Sequence, residues 1–118
     1  MEWNIIIHEN FETEIQDFSR KVKTEFFASV QMLKLYGPQL GRPHVDTLEG
    51  SKYSNMKELR FNADNGVWRV AFAFDPKRQA ILLVAGDKSG VKQNRFYKKL
   101  IKAADTRFFE WLNQPGED

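Results

Sequence analysis

The chain has 118 residues, 42% of them hydrophobic, with ten Phe, three Trp and three Tyr; that is enough for one core and too little for two, so a single domain over residues 1–118 is expected. It has no cysteine, which excludes a disulfide frame and any Cys-ligated zinc or iron–sulfur centre and fits a reducing, cytoplasmic setting. Formal net charge is only +2, but residues 1–36 carry four basic and six acidic side chains and residues 37–118 carry fourteen and ten, so the basic excess lies in the C-terminal part.

The chain starts Met1, Glu2, Trp3, Asn4 and follows with three isoleucines, without the basic start or long apolar run of a signal peptide. No stretch approaches the roughly 20 apolar residues of a membrane span. Residues 3–8 are short, apolar and β-branched, which predicts a strand. Asn10 is placed to cap a helix whose first turn carries Glu12 and Glu14. Phe11, Ile15, Phe18 and Val22 recur at helical spacing, and Phe26, Val30 and Leu33 carry the stripe to Tyr36 before Gly37 and Pro38 stop it. That is about seven turns, as two helices in a hairpin or one bent helix.

Residues 37–55 hold Gly37, Pro38, Gly41, Pro43, Gly50 and two serines, the composition of a long surface loop, and loops of that length are frequently functional. Three strands follow, over residues 56–62, 67–75 and 79–86, joined by Ala63-Asp64-Asn65-Gly66 and by a turn around Pro76. A last helix covers residues 91–113, with Phe96, Leu100, Ala104, Phe108, Trp111 and Leu112 along one side, and residues 114–118 form a fraying tail. The expected class is α+β: a small antiparallel sheet of about four strands, an N-terminal helical hairpin and a C-terminal helix.

Strand periodicity sorts the charges. Trp68, Val70, Phe72 and Phe74 share one face, which must be the core, so Arg69, Ala71 and Ala73 share the other, expected to face solvent. By the same test Leu59 and Phe61 point inward with Lys57 of the same parity, while Glu58 and Arg60 point outward. With Asn62 paired to Val67, Arg60 lies opposite Arg69. Two like charges so placed repel and need an anion or a carboxylate, and Glu58 is the neighbouring carboxylate. Both readings stand at this level: an anion site, or an Arg–Glu–Arg cluster on a solvated sheet face.

Lys88 follows a strand end between Gly86 and Gly90 and can reach across the sheet, unless it is an ordinary exposed loop lysine. From Lys88 to Arg107 there are seven basic residues and one acidic, a field suited to phosphate and equally met in a solvated helix face. His8 and His44 lie far apart and in no ligand spacing; neither a metal nor a cofactor is implied. His8 ends a strand and reads as structural, His44 as a loop surface residue. No glycine-rich phosphate loop or Ser-His-Asp set is present.

The element order, with Glu58-Leu59-Arg60-Phe61, Gly66-Val67-Trp68-Arg69-Val70 and Leu83-Val84-Ala85-Gly86-Asp87-Lys88, resembles the RelE/HigB superfamily of bacterial toxin endonucleases over nearly the whole chain. The segment from Leu59 to Lys88 is most similar to the phage-derived HigB-like branch, which keeps an Arg on each of two adjacent strands and a Lys just after the next. The resemblance implies the toxin of a type II toxin–antitoxin pair that cleaves mRNA, usually on the ribosome, and is neutralised by a helix-turn-helix, HigA-like antitoxin. It implies Arg60, Arg69, Lys88 and Tyr97 as catalytic residues; the basic residues Lys57, Lys92 and Arg95 are the candidate RNA contacts beside them.

Two positions depart from the pattern: Glu58 stands where RelE has a proton-transferring lysine, and Asp87 where a second basic residue is common. Tyr97 also aligns with Ile101, Ala104 and Phe108, which fits a core anchor with a wet hydroxyl. RNA is cut without metal when its own 2′-hydroxyl attacks the adjacent phosphate, and the protein then supplies positioning and charge: Arg60 and Arg69 on the phosphate, Lys88 on the charge that develops. Glu58 is the only carboxylate placed to act as base. The rival classes are a ParE-like gyrase inhibitor, a noncatalytic nucleic-acid-binding module, and a phage structural or interaction protein.

Overall fold

The computed structural model describes residues 2–114, so the expected tail falls, from residue 115 on, outside the described residues. Strand β1 (Asn4–Ile7) gives way directly to helix α1 (Glu9–Ile15). The cap is His8 rather than Asn10: the backbone of His8 is still extended, its buried ring accepts the Asn10 amide on Nδ1 at 3.1 Å, and Asn10 is already helical. The apolar stripe then divides into two helices. Ser19 Oγ accepts from the Val22 amide and opens α2 (Arg20–Tyr36), while Phe18 in the link packs edge-on against Phe11 and Phe26 and keeps the stripe continuous. Gly37, at φ 55°, ends α2; a Cβ there would stand 2.3 Å from Trp3 Nε1, so glycine is required by both backbone and neighbour.

The segment expected to be all loop contains a 3-10 turn (Gly37–Gln39) and a three-residue strand, β2 (Val45–Thr47). Three residues carry no readable alternation; β2 exists because β3 (Met56–Ala63) offers it a partner, in the register Val45↔Leu59, Asp46↔Glu58 and Thr47↔Lys57. β3, β4 (Gly66–Asp75) and β5 (Gln79–Asp87) form the expected meander. Asp64 and Asn65, both at positive φ, make the two-residue turn that pairs Ala63 with Gly66 and Arg60 with Arg69.

The sheet has five strands in the order β1-β5-β4-β3-β2 and is mixed, which corrects the expectation of about four antiparallel strands. Its parallel pair joins β1 to β5, with Ile5↔Ala80 and Ile7↔Leu82. A parallel pairing needs a crossover, here the whole helical hairpin and most of the meander, so no local sequence signal announces it.

Both faces of the sheet are covered. Helices α1 and α2 bury Phe11, Phe26 and Leu33 against Leu59, Val70, Phe72 and Leu82. Helix α3 (Gln93–Leu112) buries Phe96, Leu100, Ala104 and Phe108 against Met56, Ala71, Ala73, Ile81 and Leu83. The face of Arg69, Ala71 and Ala73, expected to meet solvent, is therefore a second core layer. The two alanines leave the space into which α3 packs. No helix among the described residues is long and apolar enough to cross a membrane.

Candidate functional site

Beyond the last apolar contacts of α3, the α3 face of the sheet ends in charges. Glu58, only 3% exposed, is the hub. Its Oε2 accepts from Arg60 Nε at 3.1 Å and Nη2 at 2.8 Å, and its Oε1 accepts the Tyr97 hydroxyl at 2.8 Å. Arg69 reaches the same Oε1 with Nε at 3.8 Å, an ion-pair distance too long for a hydrogen bond, and donates through Nη1 to the Trp68 carbonyl. Arg69 Nε is the one buried side-chain nitrogen or oxygen among the described residues that lacks a hydrogen-bond partner. Lys88 completes the group, with Nζ 5.8 Å from the centre of the Tyr97 ring.

Of the two sequence readings of the arginine pair, the geometry partly meets the Arg–Glu–Arg cluster. Arg60 and Arg69 lie opposite each other as the register demanded, and the carboxylate between them is Glu58. The cluster stands at the edge of a covered face, however, and Arg69 is nearly buried, at 9% exposure. On the far side of β3 a second carboxylate, Asp46, faces Glu58 across β2–β3, and Arg60 bridges the two with Nη2 3.4 Å from Asp46. Arg42 holds Asp46 from outside at 3.0 Å. Neither Asp46 nor Arg42 is distinguishable in sequence, since only the β2 pairing brings them in.

These contacts set the protonation states. The bonds to Glu58 raise the Arg60 guanidinium above its ordinary value. Burial first, and the bond to Glu58 second, raise the Tyr97 phenol, against a smaller opposing pull from Arg69. Tyr97 is thus held as a neutral donor. Asp46 is lowered by the Thr47 amide and then by Arg42. Burial of Asp87 opposes its charge but is outweighed by the Ser89 hydroxyl and the Ser89 and Val67 amides, so it too is lowered. Asp87, where the family pattern favours a base, instead pins the turn that carries Lys88.

A cleft of about 520 Å³ opens beside the cluster between β2–β3 and α3, bordered by Asp46, Glu58, Arg60, Asn94, Tyr97 and Lys98. Arg60, Arg69, Lys88 and Tyr97 come from four different segments and are brought together, the arginines and the tyrosine on Glu58 and Lys88 by the Tyr97 ring; of the four, Arg60 and Tyr97 border the cleft. The other candidates do not join them. Lys57 pairs with Phe72 and has the parity of the α1/α2 face. Lys92 is the exposed residue preceding α3, and Arg95 lines a separate depression with Gly86, Val91 and Lys99. His44 is half-buried and its carbonyl accepts the Arg60 amide at 2.8 Å, extending the β2 ladder. Among the described residues no group of three or more His, Asp or Glu is arranged to hold a metal ion.

Residues 13–109 match the family model described as phage-derived protein Gp49-like (DUF891). The chain is 49% identical over 89 residues to a protein of Mycobacterium tuberculosis named putative toxin HigB2, covering 75% of this chain and 44% of that one. It is 45% identical over 94 residues to putative toxin HigB3 of the same organism, covering 80% of each. The chain thus spans less than half the length of the first relative. Among solved structures, the archaeal RelE–RelB complex from Pyrococcus horikoshii contains a chain that superposes with a TM-score of 0.56 at 20% identity, over 77% of this chain and all of that one, which shows a shared fold.

Proposed function

The chain belongs to the Gp49-like family of RelE/HigB-type toxins, and on that premise we propose that it is the toxin of a type II toxin–antitoxin pair and cuts mRNA without a metal ion. The observation that carries the proposal is the convergence of Arg60, Arg69 and Tyr97 on the single carboxylate of Glu58, with Lys88 beside the Tyr97 ring. In the cut, the 2′-oxygen bonds to phosphorus and the bond to the 5′-oxygen breaks, leaving a cyclic phosphate and a free 5′-hydroxyl. One proton leaves the 2′-hydroxyl for solvent water and one arrives at the 5′-oxygen from solvent or from the Lys88 ammonium, which solvent then reprotonates. Arg60 and Arg69 hold the phosphoryl oxygens in a planar fork, and Lys88 meets the charge growing on the leaving oxygen.

Glu58 is a positioning residue in this scheme: it is buried and already accepts from Arg60 and Tyr97, so it fixes the geometry of the arginines. Tyr97, kept protonated, donates and does not act as base. A strong general base typically contributes 10² to 10⁴ in rate, so an enzyme built this way depends on geometry imposed by the ribosome. The partner is a HigA-like antitoxin that brings carboxylates to the cationic residues; the RelE–RelB complex, in which a protein of this fold is paired with a second chain, supports a partner of some kind. The working compartment is the cytoplasm.

One observation favours a second reading, a noncatalytic RNA-binding module. Arg60, Arg69 and Lys88 against Glu58 and Asp46 leave a net of three minus two, a single positive charge, so most of the cationic capacity is already answered within the protein.

Expression without a partner should arrest growth, and purified protein with translating ribosomes should cut mRNA, which Arg69→Ala should do roughly ten- to a hundredfold more slowly. Harmless expression at confirmed protein levels, with no partner captured from the native host, sinks the toxin assignment. Binding without product establishes the module, and loss of gyrase supercoiling with intact mRNA establishes a ParE-like inhibitor.

A further inference from the structure

A second concavity, of about 730 Å³, runs along α3 from the candidate cleft, walled on one side by the turn after β2 and on the other by the helix. Lys98 and Ile101 line both, so the two are continuous. The groove has a built wall: Asp105, 9% exposed, accepts from the Ser51 hydroxyl and from the Lys52 amide at 3.0 Å, and Tyr53 packs edge-on against Phe108 at 4.8 Å. Those contacts hold Lys52 opposite α3.

Charge separates the two concavities. The cleft is bordered by Arg60 and Lys98 against Asp46, Glu49 and Glu58, two minus three, or one net negative charge. The groove carries Lys52, Lys98 and Lys102 against Asp105 alone, three minus one, and that carboxylate is already committed to Ser51 and Lys52. A polyanion entering the site is therefore drawn along α3. At the far end Phe109 lines the groove with 59% of its surface exposed, a flat apolar face beside phosphate-binding charge. From Asn94 to Phe109 the helix rises about 22 Å, long enough for several nucleotides.

We infer that this groove is the track for single-stranded RNA beyond the scissile phosphate, with phosphates on Lys98, Lys102 and Lys52 and a base stacked on Phe109. The inference rests on the reading of the Glu58 cluster as the RNA site and extends it to the strand flanking the cut. Basic grooves with aromatic platforms bind single strands with little sequence preference, and each base stacked adds a factor of about ten or more.

The test uses 2′-O-methyl RNA, which lacks the attacking hydroxyl and stays uncut whether or not the protein is a nuclease, so it is independent of the cleavage assay. Fluorescence anisotropy over a salt series compares strands of about four and about twelve nucleotides, which bracket the shorter known single-strand footprints. The long strand should bind more tightly. In K52Q/K98Q/K102Q its log–log salt slope should fall by about 2, since each phosphate contact on a single strand contributes about 0.7, while that of the short strand, which meets only Lys98 of the three, should fall by about 0.7 at most.

Phe109→Ala should weaken the long strand about tenfold. K52R/K98R/K102R should behave as the wild type, which keeps the test sound if the glutamine triple is destabilised. Equal shifts in K21Q/K23Q/K77Q, which removes as much charge elsewhere, would show a general field and overturn the track, as would equal affinity of the wild type for both lengths. Unchanged oligonucleotide binding with lost binding to vacant ribosomes would put ribosomal RNA in the groove and overturn the assignment of the cut strand.

Discussion

Tyr97 donates its hydroxyl proton to Glu58 Oε1 across 2.8 Å, and this one bond ties the first turns of α3 to the third strand, 39 residues away in sequence. The same carboxylate holds Arg60 and faces Arg69, so the geometry of every candidate catalytic residue except Lys88 passes through it directly. Lys88 is linked at one remove, through the Tyr97 ring.

Removing the hub should cost more than removing a spoke. Glu58→Ala leaves two cross-strand arginines without their carboxylate. Breaking a buried pair costs about 3 to 5 kcal/mol, and because the Arg60 side chain is 32% exposed the lower end, about 3 kcal/mol, is expected. Tyr97→Phe loses one hydrogen bond to a charged group, about 1.5 to 3 kcal/mol. Urea unfolding of both variants measures the order, and a Glu58→Ala protein as stable as wild type would show that the cluster contributes nothing to the fold.

The Tyr97 phenol makes stability depend on pH at the alkaline end. Its folded value is raised above the ordinary tyrosine value of about 10. The stabilisation is fully present below pH ~10 and is lost as pH rises through the folded value. Wild type should therefore lose its advantage over Tyr97→Phe progressively over the range above about pH 10, read as converging urea midpoints. A constant difference across that range would contradict the raised value.

Three cations placed differently should respond differently in the cleavage assay. Arg69→Ala removes a charge-assisted contact of about 1.5 to 3 kcal/mol, a roughly ten- to hundredfold loss in rate. Lys92→Ala should weaken RNA binding uniformly and flatten its salt dependence without changing the cut pattern. Lys57→Ala, on the parity of the opposite face, should leave the rate within about twofold of wild type. Equal losses in all three would remove the distinction between site and surface.

Asp87 should prove to be structural. Its Oδ1 accepts the amides of Val67 at 3.0 Å and Ser89 at 2.9 Å, closing the turn that aims Lys88 at Tyr97. In Asp87→Ala those two amides should lose hydrogen-exchange protection, and cleavage should fall as it does in Lys88→Ala. Protection equal to wild type would mean that the turn holds itself.

The meander, its register and the opposition of Arg60 and Arg69 follow from local chemistry. Alternating Trp68, Val70 and Phe72 set the face, and Asp64 and Asn65 supply the positive φ that a two-residue turn needs, so one turn places every pair on the two strands. The helical stripe was equally legible, because Phe11, Phe26 and Leu33 must share a side whatever they pack against. What lay beyond the sequence depends on segments that meet only after folding. Ala71 and Ala73 read as a solvent face because small residues carry no sign of what covers them, and only α3 seated there makes that face a core. The parallel β1–β5 pair closes over most of the chain, and β2 with Asp46 exists only because β3 accepts it. Glu58 was visible as the neighbour of two arginines, but its role as hub was not. A carboxylate's partners are decided by burial and approach in three dimensions, and Tyr97 arrives from a helix whose sequence spacing marked it as core.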